Sequence, residues 1–191
     1  RSVALGQLSE RFREVVAVAG CHGKTTISSM LAYVNEAAQM NATIHVGGFV
    51  DLLHGGVRVG GNELFITEAC EYVESFLTLS PTIALINNID NDHLDCYKDI
   101  DHIVGAFFRF CALVPPEGLI IGCTDDERVK KLLPLVDRAT LCYGLSEGDC
   151  HAANITYDEN GYPAFDLIYR DEKRGHIQLG VPGTHNVINA L

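Results

Sequence analysis

The sequence predicts an α/β fold, a P-loop-type parallel sheet flanked by helices on both faces, with a small antiparallel β-sheet near the C-terminus. Three observations predict it. Short apolar runs alternate with helix-compatible segments along most of the chain, the pattern of strands covered on both sides by crossover helices. One run, Val15-Val16-Ala17-Val18-Ala19, leads into Gly20-Cys21-His22-Gly23-Lys24-Thr25-Thr26 and then an apolar segment. After Gly148 the pattern becomes alternation of apolar and polar residues, broken by Asn160-Gly161, a hairpin signal.

The elements follow in order. Residues 1–13 read as a polar–apolar lead-in. Residues 15–19 are a buried strand, 20–23 a tight turn and 24–38 a helix. Residues 42–46 form a short strand before Gly47-Gly48, and Gly55-Gly56 with Gly60-Gly61 mark a hairpin region. Residues 63–67 form a strand that ends in acids. Residues 82–88 form a strongly apolar strand that runs into Ile89 and Asp90. The helix at 100–113 places Ile103, Phe107, Phe110, Cys111 and Val114 on one face. Residues 119–122 are a strand, 125–133 a helix and 140–143 a strand. Residues 152–157, 164–169 and 176–179 are the antiparallel strands. Pro182-Gly183 ends them, and Thr184 is expected to cap a last helix at 185–191.

The chain has 191 residues, enough for one large domain or two small ones, and its 47% hydrophobic content supplies a sizeable core. A formal charge of −11 and a pI near 5.0 argue against a nucleic-acid or anionic-membrane surface. The seven cysteines, Cys21, Cys70, Cys96, Cys111, Cys123, Cys142 and Cys150, form no C-x-x-C pair, so they read as reduced thiols and not as a zinc site. The sequence shows neither a signal peptide nor a run apolar enough to span a bilayer, and the expected location is cytoplasmic. The chain starts at Arg1 and stops at Leu191 within a helical pattern, so it is expected to be a piece of a longer protein.

The glycine turn carries the chemistry. Backbone N–H groups at a helix start face an anion, the lysine reaches terminal phosphates, and the threonine hydroxyl binds Mg²⁺. Gly20, Cys21, His22, Gly23, Lys24, Thr25 and Thr26 are therefore candidate nucleotide-binding residues for ATP, although Val18 stands where the general motif has its first glycine. His22 either contacts an anion or shapes the turn. In an open α/β sheet, ligands sit beyond the carboxyl ends of the strands. There one strand ends at Glu68 and another leads to Asp90, Asp92, His93 and Asp95. Glu68 and this aspartate group are the carboxylates available for Mg²⁺, and His93 is a candidate ligand for a second metal, Mn²⁺ included. Thr25, Glu68 and His93 are thus the candidate metal residues, and Lys24, Glu68 and His93 the candidate catalytic ones. Glu68 and His93 are expected to share one cleft facing the Lys24-Thr25 loop. Lys24, as a loop charge, is expected to be replaceable without loss of the fold. His45, His54, His102, His151 and His176 lack a motif and read as surface or core residues.

Four segments resemble the Mur ligase family, and within it the ligases that add L-alanine. Gly20-Cys21-His22-Gly23-Lys24-Thr25-Thr26 is similar to the family's G-T-H-G-K-T-T loop. Glu68-Ala69-Cys70-Glu71-Tyr72-Val73-Glu74-Ser75-Phe76-Leu77 resembles E-A-D-E-x-x-x-S-F-L. Asn88-Ile89-Asp90-Asn91-Asp92-His93-Leu94-Asp95-Cys96-Tyr97 resembles N-x-x-x-D-H-x-D-x-Y. Pro182-Gly183-Thr184-His185-Asn186-Val187-Ile188-Asn189-Ala190-Leu191 resembles P-G-x-H-N-x-x-N-A-L. The resemblance implies the central ATPase domain, residues 1–191, of a three-domain ligase, with residues 1–14 leading in from an N-terminal domain. It implies UDP-N-acetylmuramate and L-alanine as substrates of the whole enzyme, ATP and Mg²⁺ as its cofactors, and an acyl phosphate route to the amide. It implies that Lys24 binds the phosphates, Thr25 and Glu68 one Mg²⁺ and His93 a second metal, while Asn186 and Asn189 meet adenine. Cys21 and Cys70 depart from the family's usual Thr and Asp. Residues 106–110 offer no lysine for the carbamylation used by several relatives. Another Mur-type or polyglutamate-type ligase, and an ATP-binding module without ligase activity, remain alternatives.

Overall fold

The computed structural model describes residues 2–91 and 96–191. Helix α1, Ser2–Ser9, precedes strand β1, Glu14–Ala19. Helix α2, Lys24–Ala37, crosses over to β2, Thr43–Val50, which turns back antiparallel into β3, Gly55–Arg58. Strands β4, Leu64–Glu68, and β5, Ile83–Ile86, flank a 3₁₀ segment at Tyr72–Thr78. Helix α3, Ile100–Ala112, leads to β6, Leu119–Cys123, and α4, Glu127–Leu132, to β7, Ala139–Gly144. Strands β8, Cys150–Tyr157, β9, Pro163–Tyr169, and β10, Glu172–Gln178, form an antiparallel meander before α5, Thr184–Ala190.

Among the described residues, the ten strands belong to one sheet of order β10-β9-β8-β7-β6-β5-β1-β4-β2-β3. Strands β2, β4, β1, β5, β6, β7 and β8 run parallel, with antiparallel strands at both edges. β1 lies inside the sheet because its residues are small and apolar on both sides; Ala17, Val18 and Ala19 are each 0% exposed. Alternation along the strand splits them between two cores. Ala17 and Ala19 share a core with Phe107 and Phe110 of α3, whereas Val16 packs with Ala32 of α2 and Ile44 of β2. Helices α2 and α5 touch on one face; α1, the 3₁₀ segment, α3 and α4 cover the other. Phe76 stacks on Phe110 at 4.7 Å and meets Phe107 edge-on at 5.2 Å. Each such buried ring contributes about 2–3 kcal/mol. Among the described residues no helix is long and apolar enough to cross a membrane.

The α/β architecture, the parallel sheet with helices on both faces and the C-terminal antiparallel strands agree with the sequence reading. Details differ. Residues 2–9 form a helix where the sequence suggests only a lead-in, because the side turned inward carries only one large apolar residue, Leu5, beside small ones. Gly6 and Ser9 are buried there, and a Cβ on Gly6 would lie 2.2 Å from the Thr78 carbonyl oxygen. The antiparallel strands continue the main sheet, though β8 meets β7 over only two residue pairs, Tyr143↔Cys150 and Gly144↔His151. β10 starts at Glu172 because a register shift between Lys173 and Gly175 hides its alternation. Gly183, not Thr184, is the N-cap of α5, and the Thr184 hydroxyl bonds to that of Tyr157 at 2.6 Å.

Candidate functional site

The parallel strands β4, β1 and β5 are adjacent, so their carboxyl ends share one edge of the sheet. β1 runs directly into the glycine turn. Gly20 and Gly23 have φ of 140° and 85°, which other residues adopt only with strain. A Cβ on Gly23 would sit 2.7 Å from both Asn189 Oδ1 and Asn87 Nδ2. Gly23 is the N-cap of α2 and, among the described residues, no side chain caps that helix. The leading N–H groups of a helix of 14 residues are thus left for an anion, with the dipole behind them.

The turn is fastened to the segment after β5. Cys21 N donates to Asn88 O at 3.2 Å and His22 N to Asn88 Oδ1 at 2.8 Å. The Asn87 and Asn88 side-chain amides both donate to His22 O, at 3.1 and 3.0 Å. Tyr143 OH in turn donates to Asn87 Oδ1 at 2.8 Å. Cys21 Sγ meets Asp90 N and Asp90 O at 3.1 and 3.4 Å, so a thiol at this position ties the turn to the next loop. Asp90 lies below the usual carboxylate range, first through the backbone N–H of Asn91, then through His22 and Arg128. His22 Nε2 is 3.6 Å from Asp90 Oδ2, both side chains being well exposed.

Lys24 folds back over the turn. Its Nζ donates to Gly20 O at 2.6 Å and to Glu71 at 2.8 and 3.1 Å, with Cys21 O at 3.3 Å. Lys24 lines a cavity of about 400 Å³ with His45, Gly47, Glu68, Cys70 and Phe76. Glu68, the last residue of β4, accepts from Gly47 N at 2.8 Å. Gly47 and Gly48 make room here: a Cβ on Gly47 would lie 2.8 Å from Glu68 Oε2, and one on Gly48 3.1 Å from Thr25 Cγ2. The carboxylate of Glu68 and the hydroxyl of Thr25 are hard oxygen donors, and such a sparse set suits Mg²⁺, which keeps waters and substrate phosphates as its other ligands. Among the described residues no group of three or more His, Cys, Asp or Glu forms a cage for a metal.

On the other side of the turn, a second cavity of about 470 Å³ is lined by His22, Gly23, Thr26, Asn87, Asp126 and Asn189, among others. Asn189 Oδ1 accepts from Asn87 Nδ2 at 3.1 Å, and its own amide donates to Asn186 Oδ1 at 3.1 Å. Asn186 is buried and donates to Pro182 O at 2.8 Å.

Residues 18–191 match the family model described as the Mur ligase middle domain. The chain belongs to the Mur ligase family. Over all 191 residues it is 48% identical to a UDP-N-acetylmuramate–L-alanine ligase of Clostridium perfringens and 45% identical to one of Clostridium tetani. It covers 42% of each, so it spans about two-fifths of the length of these curated relatives. Among solved structures it is similar to the UDP-N-acetylmuramate:L-alanyl-γ-D-glutamyl-meso-diaminopimelate ligase of Neisseria meningitides, with a TM-score of 0.87 and 27% identity over 100% of this chain and 62% of that one. It is also similar to the MurC ligase of Thermotoga maritima, with a TM-score of 0.79 and 25% identity over 98% of this chain and 41% of that one.

Within this Mur ligase domain, the structure brings Gly20, Gly23, Lys24, Thr25 and Glu68 to one edge of the sheet. Thr26 and Asn189 line the second cavity, and Asn186 sits behind Asn189. His93, with Asp92 and Asp95, lies outside the described residues. Sequence reasoning missed Glu71 as the partner of Lys24. It also missed Asn87, Asp125, Asp126 and His185 in the second cavity. Their polar character after apolar strands or inside the last motif was the available signal, but nothing local says which side they face.

Proposed function

We propose that this chain is the ATP-binding central domain of a three-domain, ADP-forming ligase that joins L-alanine to UDP-N-acetylmuramate in peptidoglycan precursor synthesis. The observation that carries this reading is the uncapped glycine turn at α2, with Lys24 and Glu68 in one cavity beside it, in a chain 48% identical to a relative bearing that name. Residues 1–14 connect it to a preceding domain, and the enzyme works in the cytoplasm.

The residues support a division of labour. The turn N–H groups and Lys24 hold the β- and γ-phosphates; the muramyl carboxylate attacks the γ-phosphate, the bond to the bridging oxygen breaks, ADP leaves, and the carboxylate becomes an acyl phosphate. The amine of L-alanine then displaces phosphate through a tetrahedral intermediate. No side chain acts as a nucleophile, so catalysis rests on positioning and on charge placed at the transferring group. Thr25 and Glu68 would hold Mg²⁺, which supplies charge neutralisation across the phosphates; His93 is proposed for a second metal. Asn189, steadied by Asn186, faces the base.

Phosphate release by the complete enzyme tests the reading. It is expected to require ATP, UDP-N-acetylmuramate and L-alanine together. Release without the amino acid points to an ATP-binding module of another kind. A second reading is favoured by the TM-score of 0.87 to the ligase from Neisseria meningitides, whose name includes a tripeptide. Replacing L-alanine by L-alanyl-γ-D-glutamyl-meso-diaminopimelate distinguishes the two.

A further inference from the structure

We infer that Glu71 is a positioning residue for Lys24, holding its ammonium at the mouth of the glycine turn and remaining its partner when triphosphate enters. This rests on the nucleotide reading above and adds a residue to it. Glu68 and Glu71 stand three positions apart, yet the fold gives them different tasks. Glu68 is only partly buried and lines the cavity, whereas the Glu71 side chain is 1% exposed and meets Lys24 Nζ with both oxygens, at 2.8 and 3.1 Å.

The backbone around Glu71 is arranged to hold that carboxylate still. Its carbonyl oxygen accepts from Tyr97 OH at 2.5 Å and from Glu74 N at 2.9 Å. Ala69 N donates to Val18 O at 2.8 Å, and Phe76 N to Cys70 O at 2.9 Å. Val73 and Glu74 follow with φ of 51° and 52°, left-handed values that cost a non-glycine residue and persist where the surroundings enforce them. Tyr97 is itself 2% exposed, so its hydroxyl is committed to this carbonyl and shielded from solvent.

Lys24 Nζ has four oxygens within 3.3 Å and only three protons. An entering phosphate must therefore displace some of them. Bonds to a carboxylate are stronger than bonds to neutral carbonyls. The carbonyls of Gly20 and Cys21 are thus the contacts exchanged for phosphate, and the Glu71 pair persists. A latch that merely blocks the site predicts the opposite sign on mutation, since freeing Lys24 would then tighten nucleotide binding.

The test is Glu71→Gln in the complete ligase, with MgATP affinity by calorimetry beside steady-state kinetics. The expected result is an ATP Kd and KM raised about tenfold or more, with the KM for L-alanine unchanged and partial recovery in Glu71→Asp. An ATP affinity that is unchanged or tighter overturns the assignment, as does a uniform loss of kcat at unchanged ATP KM. Tyr97→Phe loosens Glu71 without touching either charge, and is expected to raise the ATP Kd by a smaller factor. It replaces the first variant if that chain does not fold, and an unchanged Kd there overturns the proposal. If the wild type binds MgATP but releases no phosphate with L-alanine, the ligase reading fails, and the Kd ratio still decides the role of Glu71. A wild type that binds no nucleotide removes both.

Discussion

Lys24 is 15% exposed and its carboxylate partner 1% exposed, so its charge serves the fold as well as the phosphates. Lys24→Ala is expected to lower turnover about 10²- to 10³-fold, as for loss of a donor to developing charge. The sequence reading expects the fold to survive this change; the buried pair adds that survival should cost about 3–5 kcal/mol of stability, because a buried carboxylate loses its counter-charge. Chemical denaturation of the variant measures the second effect separately from phosphate release. The cysteines offer another check. Cys70 is exposed, whereas burial pushes the Cys111 and Cys123 thiols up to about 12 and about 11. A maleimide at neutral pH should modify Cys70 well before Cys111 or Cys123, as followed by mass spectrometry of the native protein. At this scale the glycine turn was legible, since glycine, lysine and threonine at that spacing have one strong physical use. Glu71 was not, because the pairing depends on a backbone path after β4 that contains Val73 and Glu74 in left-handed conformations. No sequence pattern announces such residues.

Strand β1 and helix α3 were read almost residue for residue, since each shows one clear period and a buried face. Helix α1 was not, because its inward side has only Leu5 beside the small residues Gly6 and Ser9, and its fit depends on the distant Thr78. The same logic gives two tests. Phe110 is 0% exposed and stacked on Phe76, so Phe110→Ala should cost about 3–5 kcal/mol in an unfolding titration, without a specific effect on nucleotide affinity. Gly23→Ala acts in the reverse sense. Its φ of 85° adds about 1–2 kcal/mol of strain, and the new methyl group would push Asn87 and Asn189 apart. Nucleotide affinity should therefore fall more than stability does. A calorimetric titration with MgATP showing unchanged binding would contradict the account of the turn.

At one edge of the sheet, one carboxylate joins strands β8, β9 and β10. Asp166 on β9 accepts from Lys173 at 2.8 Å and Asn154 at 3.0 Å, and pairs with His176 at 2.8 Å. Lys173 first, then Asn154 and His176, hold its carboxyl well below the usual range. A depressed carboxyl contributes stability above its unfolded value near 3.9, and that contribution disappears as pH falls through the lower folded value. Asp166→Asn should therefore melt below the wild type at pH 7, and the gap should close progressively below about pH 4. This cluster was invisible in the sequence because bulges in β8 and β10 set which residues face each other. The fold class was readable from the succession of periods, while the strand order, the merging of the antiparallel strands into the main sheet and the edge register were not. The narrow join of β8 to β7, over two residue pairs, has a consequence for motion. Amide protons of the C-terminal meander should exchange with solvent as a cooperative unit of their own, ahead of those in β1. Helix α5, which packs on β9, carries Asn189 across that join to Asn87 beside the glycine turn. A nucleotide seated against both would bolt the meander to the parallel strands, so the slowing of its exchange would report occupancy of the turn from the far side of the sheet.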